Sequence, residues 1–148
     1  MGQMQSRSYN YNFEDVQHII TNNKNNITHK TLLINVLKEY EQACLIKNTI
    51  DAKNEVNIIN ECLKTHKHIH IIIYGKHNCD ENVEKKQKQL SSLGFVNVFA
   101  YKGGIFEWLL LQDIFGNDLF PTTTNELDIL KFKPPSHFYN NLLTNSID

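Results

Sequence analysis

The sequence predicts an α/β domain built on a central, mainly parallel sheet. Three observations lead there. Compact apolar, β-branched runs at residues 31–36, 70–74 and 95–101 have the length of buried strands. Between them, apolar residues recur at helical spacing. Strands that alternate with helices need crossover connections, which place helices on both faces of one sheet. At 148 residues the chain has the size of one domain and is long enough to bury a core.

The elements follow in order. Residues 1–12 are polar and read as a flexible tail. Phe13, Val16, Ile19 and Ile20 then share one face of a short amphipathic helix. Residues 22–29 are an Asn-rich connector without apolar period, and Thr31-Leu32-Leu33-Ile34-Asn35-Val36 is a buried strand. Residues 39–51 are less regular: Cys44-Leu45-Ile46 reads as a short strand and Thr49-Ile50 as its exit. Within residues 54–63, Val56, Ile59, Cys62 and Leu63 stand at helical spacing, which makes Cys62 a small core residue. His70-Ile71-Ile72-Ile73-Tyr74 is the clearest strand of all. A polar loop, Gly75-Lys76-His77-Asn78-Cys79-Asp80, leads into a helix that ends near Leu93, with Gly94 as its stop. Phe95 to Tyr101 form the next strand, Gly103-Gly104 the turn, and Ile105 to Phe115 the next helix.

That last helix is apolar nearly all round. One face must enter the core, and the other needs a cover. Leu127, Ile129, Leu130, Phe132 and Phe138 can supply it, so residues 121–148, punctuated by Pro121, Pro134 and Pro135, read as an extension packed on the domain. The alternative is an exposed surface for a partner.

Charge and composition exclude several function classes. A formal net charge of −1 gives no general attraction for nucleic acid. Lys85, Lys86 and Lys88 cluster, but Glu81 and Glu84 accompany them on what reads as a solvated helix face. Cys44, Cys62 and Cys79 are widely spaced and odd in number, and the first residues lack a signal-peptide pattern. Reduced thiols in a cytoplasmic protein are the expectation. No apolar run has transmembrane length. Met1-Gly2-Gln3-Met4-Gln5-Ser6 matches the pattern for N-myristoylation at Gly2. One acyl chain supports only transient membrane association. His66, His68 and His70 would share a face in an extended chain, yet no carboxylate or cysteine completes a ligand set, so neither metal nor cofactor is expected. The oligomeric state is not legible.

Gly94-Phe95-Val96-Asn97-Val98, followed by Gly103-Gly104-Ile105-Phe106-Glu107-Trp108, resembles the Gly-Phe-x-x-Val strand and Gly-Gly-x-x-x-Trp turn of the rhodanese-like domains. The physics of the pattern is clear: two glycines permit a tight turn into a helix, and Trp108 supplies a large core anchor. The resemblance spans residues 13–120. It implies a five-stranded, mainly parallel sheet flanked by helices. Leu33-Ile34-Asn35-Val36-Leu37 is similar to the family's opening strand, with Asn35 and Leu37 where an Asp and an Arg are usual.

The resemblance also implies a chemistry: sulfane sulfur passes from donor to acceptor through a cysteine persulfide. That needs a thiolate at the carboxyl end of a strand, held by backbone N–H groups and a helix N-terminus. The corresponding position here is Gly75, directly after Tyr74. Glycine cannot form a persulfide. Two readings stand. In one, the domain is catalytically inactive and binds a protein partner or a small anion at Gly75, Lys76, His77, Asn78 and Asp80. In the other, Cys79 is a displaced nucleophile of a thiosulfate-type sulfurtransferase, assisted by Lys76 or His77. Asp80 and Glu81 beside it oppose thiolate formation. Phosphatase chemistry on a related fold would need an Arg after the loop, and none follows Arg7.

Overall fold

A computed structural model describes residues 10–22 and 31–138 of the chain. Residues 1–9, Gly2 among them, the connector at residues 23–30 and residues 139–148 lie outside that description. Four parallel strands form the sheet: β1 (Asn10–Tyr11), β2 (Leu32–Asn35), β3 (Ile71–Tyr74) and β4 (Val98–Tyr101), in the spatial order β1-β4-β3-β2. The main helices are α1 (Phe13–Asn22), α2 (Ala52–Thr65), α3 (Glu81–Leu93) and α4 (Gly104–Phe115).

The fold is the α/β architecture read from the sequence, with two corrections. The sheet has four strands among the described residues, where five were expected. The segment Cys44-Leu45-Ile46 does not join it: Lys47 N–H reaches Pro121 O and Thr123 N–H reaches Leu45 O, so this stretch pairs with the start of the C-terminal extension. In its place, Asn10 and Tyr11 leave the supposed tail and pair with Ala100 and Tyr101. Tyr11 explains why: its ring stacks on Phe99 at 4.5 Å between centroids, an apolar contact that a polar tail would not provide.

Strand alternation divides the core. Leu33, Ile72, Tyr74, Phe99 and Tyr101 face α1 and α4, while Leu32, Ile34, Ile71, Ile73 and Ala100 face α2 and α3. Both faces are buried, which is why the strands read as continuous apolar runs. Helix ends obey local chemistry. Asn12 accepts from Asp15 N–H and donates its own N–H to the Asp15 carboxylate, a reciprocal cap on α1. Gly94 closes α3 at φ 115°, a left-handed conformation that side chains disfavour.

The extension packs on the domain as far as Phe132. Trp108 is fully buried, meets Phe120 edge-on at 5.0 Å and donates its indole N–H to Pro121 O. Phe132 is buried in the same cluster and Ile129 packs against it. Leu127, Leu130 and Phe138 do not serve as cover, being 84 %, 64 % and 75 % exposed. The outer side of α4 accordingly stays open at Ile114 and Phe115. Apolar patterning had identified residues able to bury, without fixing which ones do. Among the described residues, no helix is long and apolar enough to cross a membrane.

Candidate functional site

The loop of residues 75–80 leaves the carboxyl end of β3 and enters α3. Gly75 is buried, whereas Asn78 and Cys79 stand exposed at the tip. A side chain at position 75 would require Asp80 and Val83 to shift. An added Cβ would fall on the Asp80 carboxylate and approach Val83 Cγ2 to 2.9 Å.

Asp80 ties the loop into a ring. Its Oδ2 accepts the Lys76 N–H at 3.0 Å, and its Oδ1 accepts the Asn82 N–H at 3.0 Å as the N-cap of α3. The carboxylate thus uses both oxygens on backbone donors of the loop and the helix start. Lys76 turns its ammonium to Glu41 Oε2 at 2.8 Å, and Glu41 also accepts the Lys38 N–H. The cation expected to attract a ligand is therefore paired, by a residue in a short 3-10 helix (Glu39–Glu41) to which the sequence reading gave no role.

His77 accepts the Cys79 N–H on Nδ1 at 3.1 Å, which leaves the proton of a neutral ring on Nε2. Its pKa lies below the ordinary value, chiefly because partial burial penalises the cation. Asp80 opposes that shift and Lys76 reinforces it. The Cys79 thiol donates to the neighbouring Asn78 Oδ1 at 3.6 Å. Gly75, Lys76, His77 and Asp80 are thus brought together, while Asn78 and Cys79 form the outer rim.

The turn before α4 supports the loop from behind. Gly104 has φ 69°, and an added Cβ would stand 2.7 Å from Gly75 O and 2.9 Å from His77 N. Ile105 N–H donates to Gly75 O at 3.0 Å and Phe106 N–H to Lys76 O at 2.9 Å. The first donors of α4 are satisfied by the loop itself. The two glycines were legible as a tight turn; that the second must touch the loop backbone was not.

Beneath the loop, Tyr74 and Tyr101 are paired in register and fully buried. Tyr74 OH accepts the Ile46 N–H at 3.1 Å and bonds Thr49 Oγ1 at 2.7 Å, and burial raises its pKa strongly. Tyr101 OH has no hydrogen-bond partner among the described residues. Burial raises its pKa too, and the nearby Glu107 carboxylate adds to that.

To one side, a cleft of about 390 Å³ opens between the N-terminal turns of α2 and α3. Asn35, Leu37, Glu55, Asn82, Lys85 and Lys86 help to line it. Asn35 Oδ1 accepts the Leu37 N–H and so caps its own turn. Lys86 pairs with Glu55 at 2.6 Å. The three histidines do not share a strand face: His66 caps α2, His68 lies in a turn, and β3 begins only after His70. Among the described residues, no group of three or more His, Cys, Asp or Glu is placed to hold a metal ion.

Comparison with known proteins agrees with this fold. The family model described as a rhodanese-like domain matches residues 15–111. No curated protein matches significantly. Among solved structures, a full-length protein from Lactobacillus plantarum superposes with a TM-score of 0.59 at 19% identity, covering 80% of this chain and 89% of its own. A rhodanese-like domain from Anabaena sp. gives 0.54 at 18%, covering 86% of this chain and 85% of its own. An uncharacterized protein from Saccharomyces cerevisiae gives 0.54 at 21%, covering 76% of this chain and 98% of its own. At such identities the likeness concerns the fold alone.

Proposed function

The chain belongs to the rhodanese-like domain family, and from that premise we propose that it is a non-catalytic member, a module that binds a protein partner. The observation that carries this reading is Gly75. Sulfur transfer needs a thiolate at the mouth of the sheet, cradled by backbone donors. On the resemblance, that position falls to Gly75, where an added Cβ would meet Asp80 and Val83.

Protein recognition fits better than capture of a small anion. Lys76 is neutralised by Glu41, and the Lys76 backbone donor is already engaged. Ile114, Phe115 and Leu119 are 71 %, 57 % and 55 % exposed near the end of α4, and Leu110 sits one turn before Ile114. Grouped exposed apolar side chains mark contact surfaces more often than idle ones.

A second reading, sulfur transfer through Cys79, has one observation in its favour: the thiol is exposed on the rim, and the N–H of Cys79 itself is held by His77. The two separate on intact mass after incubation with thiosulfate, followed by a thiol acceptor. The binding-module reading expects no added sulfur atom. A sulfur adduct that the acceptor removes, and that Cys79→Ser lacks, would overturn it.

A further inference from the structure

We infer that Asp80 is a resident anion of the 75–80 loop, occupying the backbone donors that a free oxyanion would otherwise use. Three observations converge on one carboxylate. Oδ2 takes the Lys76 N–H at 3.0 Å across the loop. Oδ1 takes the Asn82 N–H at 3.0 Å at the start of α3. The same group fills the space beside Gly75 where a side chain at the strand's end would project, with its Cγ 2.8 Å from that Cβ position.

An ordinary helix cap explains the Asn82 bond alone. It does not explain the bond to Lys76 or the filling of the space at Gly75. A carboxylate placed so repels any second anion at contact distance, and it removes the donors that would compensate for desolvating one. Lys76 offers no relief, since its ammonium belongs to Glu41. Asp80 therefore acts as a specificity determinant: it closes the loop to sulfate-like ligands and leaves recognition to the outer rim. Gly75 and Asp80 are then one device, because a larger residue at 75 would displace the carboxylate.

The test is a titration of the whole chain with inorganic sulfate, followed by the backbone amide resonances of Lys76 and Asn82. The variant is Asp80→Ser. Its hydroxyl can still cap Asn82 N–H, but it is too short to reach Lys76 and carries no charge. Wild type should show no saturable shift at either amide. Asp80→Ser should bind sulfate at least about tenfold more tightly, with Lys76 moving most. Saturable wild-type binding of equal affinity would refute the inference. So would a silent Asp80→Ser whose Ile72 and Ala100 amides stay in their native positions. Neither outcome depends on whether Cys79 carries sulfur, so this inference and the binding-module reading fail separately.

Discussion

Replacing Gly104 with Ala should damage the protein far more than a one-carbon change ordinarily does. Gly104 sits at φ 69°, and holding an L-residue there costs roughly 1–2 kcal/mol. The new methyl group would also stand 2.7 Å from Gly75 O, 2.8 Å from Lys76 C and 2.9 Å from His77 N. All three are backbone atoms, so no rotamer change can clear the overlap. The helix must retreat from the loop, which lengthens the bonds from Ile105 N–H to Gly75 O and from Phe106 N–H to Lys76 O. Each such bond contributes about 0.5–1.5 kcal/mol net. Together these come to about 2–5 kcal/mol, a large part of the stability of a domain of this size.

Gly94→Ala is the control, because Gly94 shares the positive φ but has its nearest neighbour, the flexible Lys67 ammonium, at 3.6 Å. It should lose only the conformational share, roughly 1–2 kcal/mol. Urea unfolding of both variants, with unchanged m-values, gives the comparison directly. In Gly104→Ala, the amides of Ile105 and Phe106 should also exchange faster with solvent. Equal losses in the two variants would show that the contact between α4 and the loop does not constrain residue 104, and the account of the site would fall with it.

Three further outcomes are expected. Tyr74→Phe removes the partner of the buried Ile46 N–H and the bond to Thr49, so it should cost about 1–3 kcal/mol. Tyr101→Phe removes a hydroxyl that makes no well-formed hydrogen bond among the described residues and lies near the Glu107 carboxylate, and it should change stability by less than about 1 kcal/mol in either direction. Denaturation of the two variants side by side checks this, and a larger loss for Tyr101→Phe would contradict it. His77 should titrate below 6.5 in the folded protein. The unfolded ring then takes its proton first as pH falls. Its contribution to stability is complete above that value and is lost as pH drops through the folded pKa. An NMR titration giving a folded value at or above 6.5 would refute the burial argument.

The sequence by itself determined the layered α/β architecture, since its periodicities are local. Ile71, Ile72 and Ile73 are apolar on both sides of the strand because helices cover both faces, and Gly94 ends its helix by its own backbone freedom. That a glycine, Gly75, directly follows the third strand was equally plain, being the identity of one residue after one run. What only the tertiary structure decided depends on partners distant in the chain. Lys76 looked like a free cation until the fold brought Glu41 to it from 35 positions earlier. Tyr11 looked like part of a tail until Phe99 gave its ring a surface. The apolar residues of the extension looked alike, yet Phe132 is buried and Leu130 is not, because only one of them reaches the Trp108 cluster. Asp80 was legible as a cap from its place before a helix. Its hold on Lys76 was not, because the direction of a side chain across a loop is set by the closure of that loop and not by the order of its residues.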